Sequence, residues 1–140
     1  MAELKTRKTG ASVAKFIAGV RDERLRTDAG VVMKLMKQVT RAEPKLWGPA
    51  IVGFGDLRLV YPSGRELDWF VCGFSPRKSG LVLYLMGGLA GQAALLAKLG
   101  KHKIGKSCLY LGPLDQVDLP TLKSLIVAAQ AKAKRAARGA

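Results

Sequence analysis

Residues 69–86, WFVCGFSPRKSGLVLYLM, decide the fold. Two short apolar runs, 69–74 and 81–86, have the length and composition of buried strands. Between them, residues 75–80 supply the proline, serine and glycine of a turn, together with Arg77 and Lys78. The stretch therefore predicts two neighbouring antiparallel strands that are joined by a basic turn.

Shorter β-like runs and four helical patterns surround this hairpin. We predict strands at residues 51–52, 57–61 and 107–111, since glycine and proline turns separate them. Ser12 is positioned to cap a first helix, a second follows it, residues 93–99 form a third, and Asp118 begins a fourth. Helices outside a run of hairpins predict an α+β fold, a two-layer sandwich with a mostly antiparallel sheet of about four to five strands.

The organisation of the chain predicts a single domain. It has 140 residues and no internal repeat or linker, so we expect a flexible N-terminus at 1–11, a single domain at 12–130 and a basic helix end or tail at 131–140. The two cysteines, Cys72 and Cys108, are 36 positions apart without a CxxC motif. Free thiols indicate a reducing compartment, and we expect a cytoplasmic protein.

One segment has nearly the length of a membrane span. Residues 79–97 carry no charge, and about 20 apolar residues cross a bilayer. The adjacent glycines Gly87 and Gly88 interrupt this segment, however, and its first part resembles a strand. A strand, a glycine turn and a helix explain it better, so we predict no membrane partner.

Residues 100–107, GKHKIGKS, match the phosphate-binding pattern GxxxxGK[ST]. A phosphate-binding P-loop follows a strand and opens a helix, so that backbone amides and the helix dipole converge on the phosphates. Here a predicted helix precedes the pattern and a predicted strand follows it. The match therefore does not predict nucleotide hydrolysis.

Two basic turns are the candidates for binding an anion. They carry Arg77, Lys78, Lys101, His102, Lys103 and Lys106. If both turns lie at one end of the sheet, their charges would converge on a phosphate or carboxylate. The alternative is that these side chains are solvated connections between packed elements, and the sequence leaves both interpretations open.

Catalytic and metal-binding patterns are weak. His102 is the only histidine and has no acid near it in sequence, so we predict no catalytic residues. Glu66 and Asp68 share one face of a predicted strand and form the best candidate pair for a hard cation. They also fit a simple solubilising role in a hairpin.

The formal net charge of +14, from 24 Lys and Arg against 10 Asp and Glu, favours anionic partners. Part of it lies in the C-terminal residues Lys132, Lys134, Arg135 and Arg138. Proteins that bind single strands interleave stacking aromatics with such charges, and this tail has none. We therefore expect at most nonspecific contact between the tail and nucleic acid.

Several motifs together resemble the YdhG-like family, a bacterial domain family of unknown function. They are WGP at 47–49, IVGFG at 51–55, GRE at 64–66 with Trp69, GFSPRK at 73–78, LGKHK at 99–103, GKSCLY at 105–110 and VDL at 117–119. The resemblance covers residues 12–128 and implies a single α+β domain. One branch of the family is described as a frataxin-like iron chaperone, which implies iron as a cargo.

The charge of this chain disfavours the iron role. Frataxin-like binding relies on an acidic helix and strand edge, whereas here Asp22, Glu23 and Asp28 are interspersed with arginines and lysine. We therefore expect first a non-enzymatic binding module for an anionic ligand or an acidic partner protein. An iron chaperone is the second hypothesis, and an enzyme of unidentified activity is the third.

Overall fold

The computed structural model describes residues 12–48, 50–60, 63–64, 66–78, 80–85, 89, 91–105 and 108–139. The helices are α1 (Val13–Ala18), α2 (Glu23–Thr40), α3 (Ala93–Leu99) and α4 (Leu119–Gly139), with a 3-10 helix at Leu114–Gln116. The strands are β1 (Lys45–Trp47), β2 (Ile51–Phe54), β3 (Leu57–Val60), β4 (Glu66–Trp69), β5 (Cys72–Arg77), β6 (Gly80–Leu85), β7 (His102–Ile104) and β8 (Cys108–Leu111). The flexible N-terminus predicted at residues 1–11 lies outside the described residues.

Three helices begin at a polar side chain that accepts a hydrogen bond from the first turn. Ser12 Oγ accepts from Lys15 N at 3.2 Å, and Asp22 Oδ1 accepts from Leu25 N at 2.9 Å. Asp118 Oδ2 accepts from Thr121 N at 3.2 Å. These contacts satisfy amides that have no partner within the helix. The caps predicted at Ser12 and Asp118 are therefore confirmed.

The strands form a six-stranded antiparallel sheet in the order β1-β2-β5-β6-β8-β7, and β3 pairs with β4 in a separate ribbon. The predicted α+β class is confirmed, although the strand count exceeds the expected four to five. The short edge strands β1 and β7 account for part of the difference. β5 also continues to Arg77, so the turn expected at 75–80 is shorter and Ser75 and Pro76 lie in the strand.

A bent ribbon connects the sheet to the β3–β4 pair. Phe54 pairs with Cys72, and the next register pair along the ribbon is Leu57 with Trp69. At the bend Gly55 has a φ of +79°, a conformation that L side chains rarely adopt. The bend turns β3 against α4.

Alternate residues of the sheet build the core on one face. This inner face carries Leu81, Leu83 and Leu85 from β6 and Leu109 and Leu111 from β8, each almost completely buried. All four helices contribute apolar side chains to the same cluster. In the described part of the chain, the helices therefore cover one face of the sheet, and no helix packs on the other face.

The opposite face has its own aromatic packing at the β1 side. The Trp47 ring lies over Gly53, where an added Cβ would be 2.5 Å from Trp47 Cδ1. Phe70 packs edge-on against Trp47 with ring centroids 5.4 Å apart, and Trp69 stacks on Phe70 at 4.8 Å. Glycine at position 53 is thus what lets the indole approach the sheet.

Candidate anion-binding groove

The corner between α1 and α2 forms one wall of a groove. Gly19 caps α1, and the chain turns through Val20 and Arg21 into α2. The Arg26 guanidinium donates to Val20 O at 2.8 Å and fixes this corner from the second helix. The corner places Lys15 and Arg21 close to the neighbouring end of the sheet.

The β5–β6 hairpin forms the opposite wall. β5 pairs with β2 only through Phe74, so its last three residues have no strand on that side and Pro76 needs no ladder partner there. Gly80 has a φ of +136°, and a Cβ there would be 2.0 Å from Leu111 O. This tight hairpin holds Arg77 and Lys78 at the end of the sheet.

Between these walls lies an open groove of about 610 Å³. Its apolar lining comes from Phe16, Val20, Leu25, Ala50 and Pro76. Four cationic side chains also line it, those of Lys15, Arg21, Arg77 and Lys78. The groove therefore offers an apolar floor within a positively charged rim.

Asp22 belongs to the lining of the groove, and Asp28 belongs to the lining of a smaller adjoining pocket. Asp22 caps α2, as described above, and Asp28 Oδ2 accepts from Leu114 N at 3.1 Å. Asp115 pairs with Arg24. By contrast, the side chains of Lys15, Arg21 and Lys78 form no ion pair with any residue that the structure describes. Four cations against the one carboxylate of Asp22 give the described lining of the groove a net positive charge.

Arg77 is held in place by neutral partners. Its Nε donates to Ser75 Oγ at 3.0 Å, and its Nη2 donates to Tyr84 Oη at 3.2 Å. Ser75 is fully buried, so the guanidinium also satisfies a hydroxyl that water cannot reach. Because neither acceptor is charged, the full positive charge of Arg77 remains available to a ligand.

The second predicted basic turn is a β-hairpin on the far edge of the sheet. Through Leu111 and Leu81, the register places His102 at the same end of the sheet as the β5–β6 hairpin. β8 and β6 nevertheless lie between β7 and β5, and Lys101, His102 and Lys103 do not line the groove. Lys106 lies outside the described residues.

The groove thus brings Arg77 and Lys78 together with two cations that the sequence did not predict as site residues. Lys15 and Arg21 lie about 60 positions before the hairpin, and no local motif marks them. His102 Nδ1 lies 2.8 Å from Gly100 O, and the described residues bring this ring no carboxylate. The segment 100–107 follows α3, contains β7 and is followed by β8. The helix predicted before this segment and the strand predicted after it are therefore confirmed, and this order is the reverse of that around a P-loop.

The candidate metal pair lies in the separate ribbon. In β4, Glu66 pairs in register with Val60, and Asp68 pairs with Arg58. The described part of the chain contains no group of three His, Cys, Asp or Glu residues that could hold a metal ion. Asp22 and Asp28, two of the acids that the sequence intersperses with cations, accept hydrogen bonds from backbone amides. The iron hypothesis stays a prediction.

The two cysteines are free and differ in their surroundings. Cys72 is completely buried on the inner face, and this burial raises the pKa of its thiol to about 12. Cys108 is half-buried on the opposite face. Neither cysteine lines the groove.

None of the helices in the described ranges is long and apolar enough to cross a membrane. Comparisons of the chain with protein-family models, with curated proteins and with solved structures find no match.

Proposed function

We propose that this protein is a non-enzymatic binding module that holds an anionic ligand in the groove between the α1–α2 corner and the β5–β6 hairpin. The observation that carries the proposal is that four cations and only one acid, Asp22, lie around apolar side chains in the described lining of the groove. Membership of the YdhG-like family and a cytoplasmic location belong to the same proposal.

The composition of the lining favours binding over catalysis. Among the described residues it includes no Ser, Thr, Cys or His, which are the usual nucleophiles and proton carriers. Its one acid, Asp22, accepts the capping hydrogen bond of α2. Such a lining can attract and orient an anionic group.

The ligand chemistry follows from the same side chains. A carboxylate or phosphate would contact the cations, while an attached apolar group would cover Phe16, Val20 and Leu25. The groove volume lies within the range of about 300–1,000 Å³ that is typical of small-molecule sites. An acidic segment of a partner protein presents the same chemistry in extended form.

The test is a titration with inorganic phosphate, followed through the backbone amide signals of the ¹⁵N-labelled protein. We expect the signals of the α1–α2 corner and of Arg77 and Lys78 to move together with one dissociation constant. The Lys15→Gln/Lys78→Gln variant removes two rim charges, each worth about 0.5–1 kcal/mol at an exposed site, so its dissociation constant should rise at least about fivefold.

The matched control is Lys34→Gln/Lys123→Gln. It removes the same charge from two exposed lysines on α2 and α4 that do not line the groove. This control should bind phosphate almost as the unmodified protein does. Equal losses in the two double variants would show that phosphate responds to net charge alone, and the groove proposal would then be wrong.

A further inference from the structure

The sheet face opposite the helices carries a compact pattern of exposed aromatic and cationic side chains. We define the open face as the part of this surface on β5, β6, β8 and β7 that presents Arg77, Tyr84, Tyr110 and Lys103. The register places these four residues on the same side, because alternate positions of Leu81–Leu85 and Leu109–Leu111 point into the core.

The two tyrosines of the open face are close neighbours. Tyr84 pairs with Cys108, so Tyr110 is its diagonal neighbour on the adjacent strand, at about 7–8 Å between Cα atoms. Tyr110 is 44% exposed, a large fraction for an aromatic ring in the middle of a strand pair. The Tyr84 ring is half-buried and rests edge-on against Phe70 at 6.2 Å. Packing therefore supports one ring and leaves the other open to solvent.

Cations lie on both sides of this aromatic pair. Lys103 is the direct register partner of Tyr110 and is exposed, and Arg77 donates to the Tyr84 hydroxyl. None of the described residues that the register places on this side of the six strands is acidic. The described residues of the open face therefore carry positive charge and no negative charge.

We propose that the open face binds single-stranded nucleic acid. Bases stack on Tyr110 and Tyr84, while phosphates contact Lys103 and Arg77, which is the combination that sequence-tolerant single-strand binders use. A duplex keeps its bases stacked inside, so it offers only phosphates to this surface. The proposal concerns a different surface from the groove, and Arg77 is the residue that borders both.

The first test compares a fluorescently labelled 12-nucleotide oligo-dT with a duplex of the same length by anisotropy at 0.15 M salt. We expect the single strand to bind more tightly and to change the fluorescence of Trp69, whose half-buried ring stacks on Phe70 beside the open face. Equal affinity for the two forms would overturn the proposal, since it would leave only phosphate attraction.

Variants at Tyr110 separate stacking from charge. Because one stacked base contributes about 1–3 kcal/mol, Tyr110→Ala should weaken oligo-dT binding about tenfold, and Tyr110→Phe should keep most of the affinity. The control is Val127→Ala, which truncates a side chain that is 48% exposed on α4. A Tyr110→Ala protein that binds as tightly as the Val127→Ala protein would contradict the stacking role.

The salt dependence tests Lys103. Its loss in Lys103→Gln should reduce the slope of log K against log salt by about 0.7, the value for one single-strand phosphate contact, and Lys123→Gln on α4 should leave the slope unchanged. The Lys15→Gln/Lys78→Gln variant keeps Tyr110 and Lys103, so it should retain oligo-dT binding. If that variant alone loses binding, the oligonucleotide occupies the groove and the open-face proposal is wrong, while the groove proposal stands.

Discussion

The two faces of the six-stranded sheet are built from the same strands and have opposite characters. On the inner face, leucines of β6 and β8 meet apolar side chains from all four helices and are almost completely buried. On the other face, aromatic rings, glycines and cations share the surface, and Tyr110 is 44% exposed. The first face holds the fold together, and the second leaves the side chains of Tyr110 and Lys103 exposed.

This difference resides in alternate positions of single strands. In β6, Leu81, Leu83 and Leu85 point inward, while Val82 and Tyr84 point to the opposite face. Because all five are apolar or aromatic, the run predicts a strand without showing which face is covered. Mutations on each face therefore measure how much that face contributes to stability.

The largest effect is expected from Leu83→Ala, which should lower the free energy of unfolding by about 3–5 kcal/mol because it leaves a cavity at a fully buried site. On the opposite face, Tyr110→Ala should cost about 1 kcal/mol or less. Urea denaturation of both variants measures the contrast. Similar losses at the two positions would mean that the open face is as structural as the core.

A smaller loss of stability is expected from a substitution on the opposite face, at the β1 side where aromatic rings are packed. Gly53→Ala should destabilise by about 1–3 kcal/mol, because the new Cβ would overlap the Trp47 ring and force it to shift. Gly112→Ala is the control, since a Cβ there meets nothing within 4 Å. Thermal unfolding, followed by tryptophan fluorescence, should show the loss in the first variant only.

The two cysteines, one on each face, provide a third contrast. It is measured through the pH dependence of the unfolding free energy. Burial raises the Cys72 pKa to about 12 in the folded protein, against 9.0 ordinarily. Below pH 9 the thiol is protonated in both states, so it adds no pH dependence there. Above pH 9 the unfolded chain loses this proton and the folded chain keeps it, so the unfolding free energy should fall by about 1.4 kcal/mol per pH unit until about pH 12.

The Cys72→Ala variant isolates that contribution from other groups that titrate at alkaline pH. Its unfolding free energy should fall less steeply between pH 9 and pH 11 than that of the unmodified protein. An aromatic disulfide reagent at pH 8 should modify half-buried Cys108 in the folded protein and reach Cys72 only after unfolding. Equal reaction rates for the two thiols would show that the inner face is open to solvent.

The sequence predicted the parts of the fold that local chemistry determines. Ser12 and Asp118 start helices through their own side chains, and the apolar runs around Leu83 and Leu109 form central strands. β1 and β7 were missed because each has three residues beside proline or glycine, and lysines interrupt them. Such strands form by pairing with a neighbour, and their own composition gives little signal.

Only two of the four cations that line the candidate groove were predicted from the sequence. Arg77 and Lys78 stood out as a basic cluster next to a proline, and the structure places them on the rim of the groove. Lys15 and Arg21 join them only because α1 packs beside the end of the sheet, a long-range contact that spacing cannot reveal. In the same way, Tyr84 and Tyr110 are 26 positions apart in the sequence and become neighbours through strand register.

The shortness of the two edge strands has a consequence for how this protein meets other chains. A sheet with one uncovered face would recruit further strands if long, apolar edges flanked that face. Here β1 and β7 offer three residues each, and both carry a lysine, Lys45 and Lys103. An incoming strand would gain few backbone hydrogen bonds and would meet a charge, so extension of the sheet by edge-to-edge pairing is disfavoured. An uncovered sheet face can therefore coexist with edges that resist pairing with another sheet.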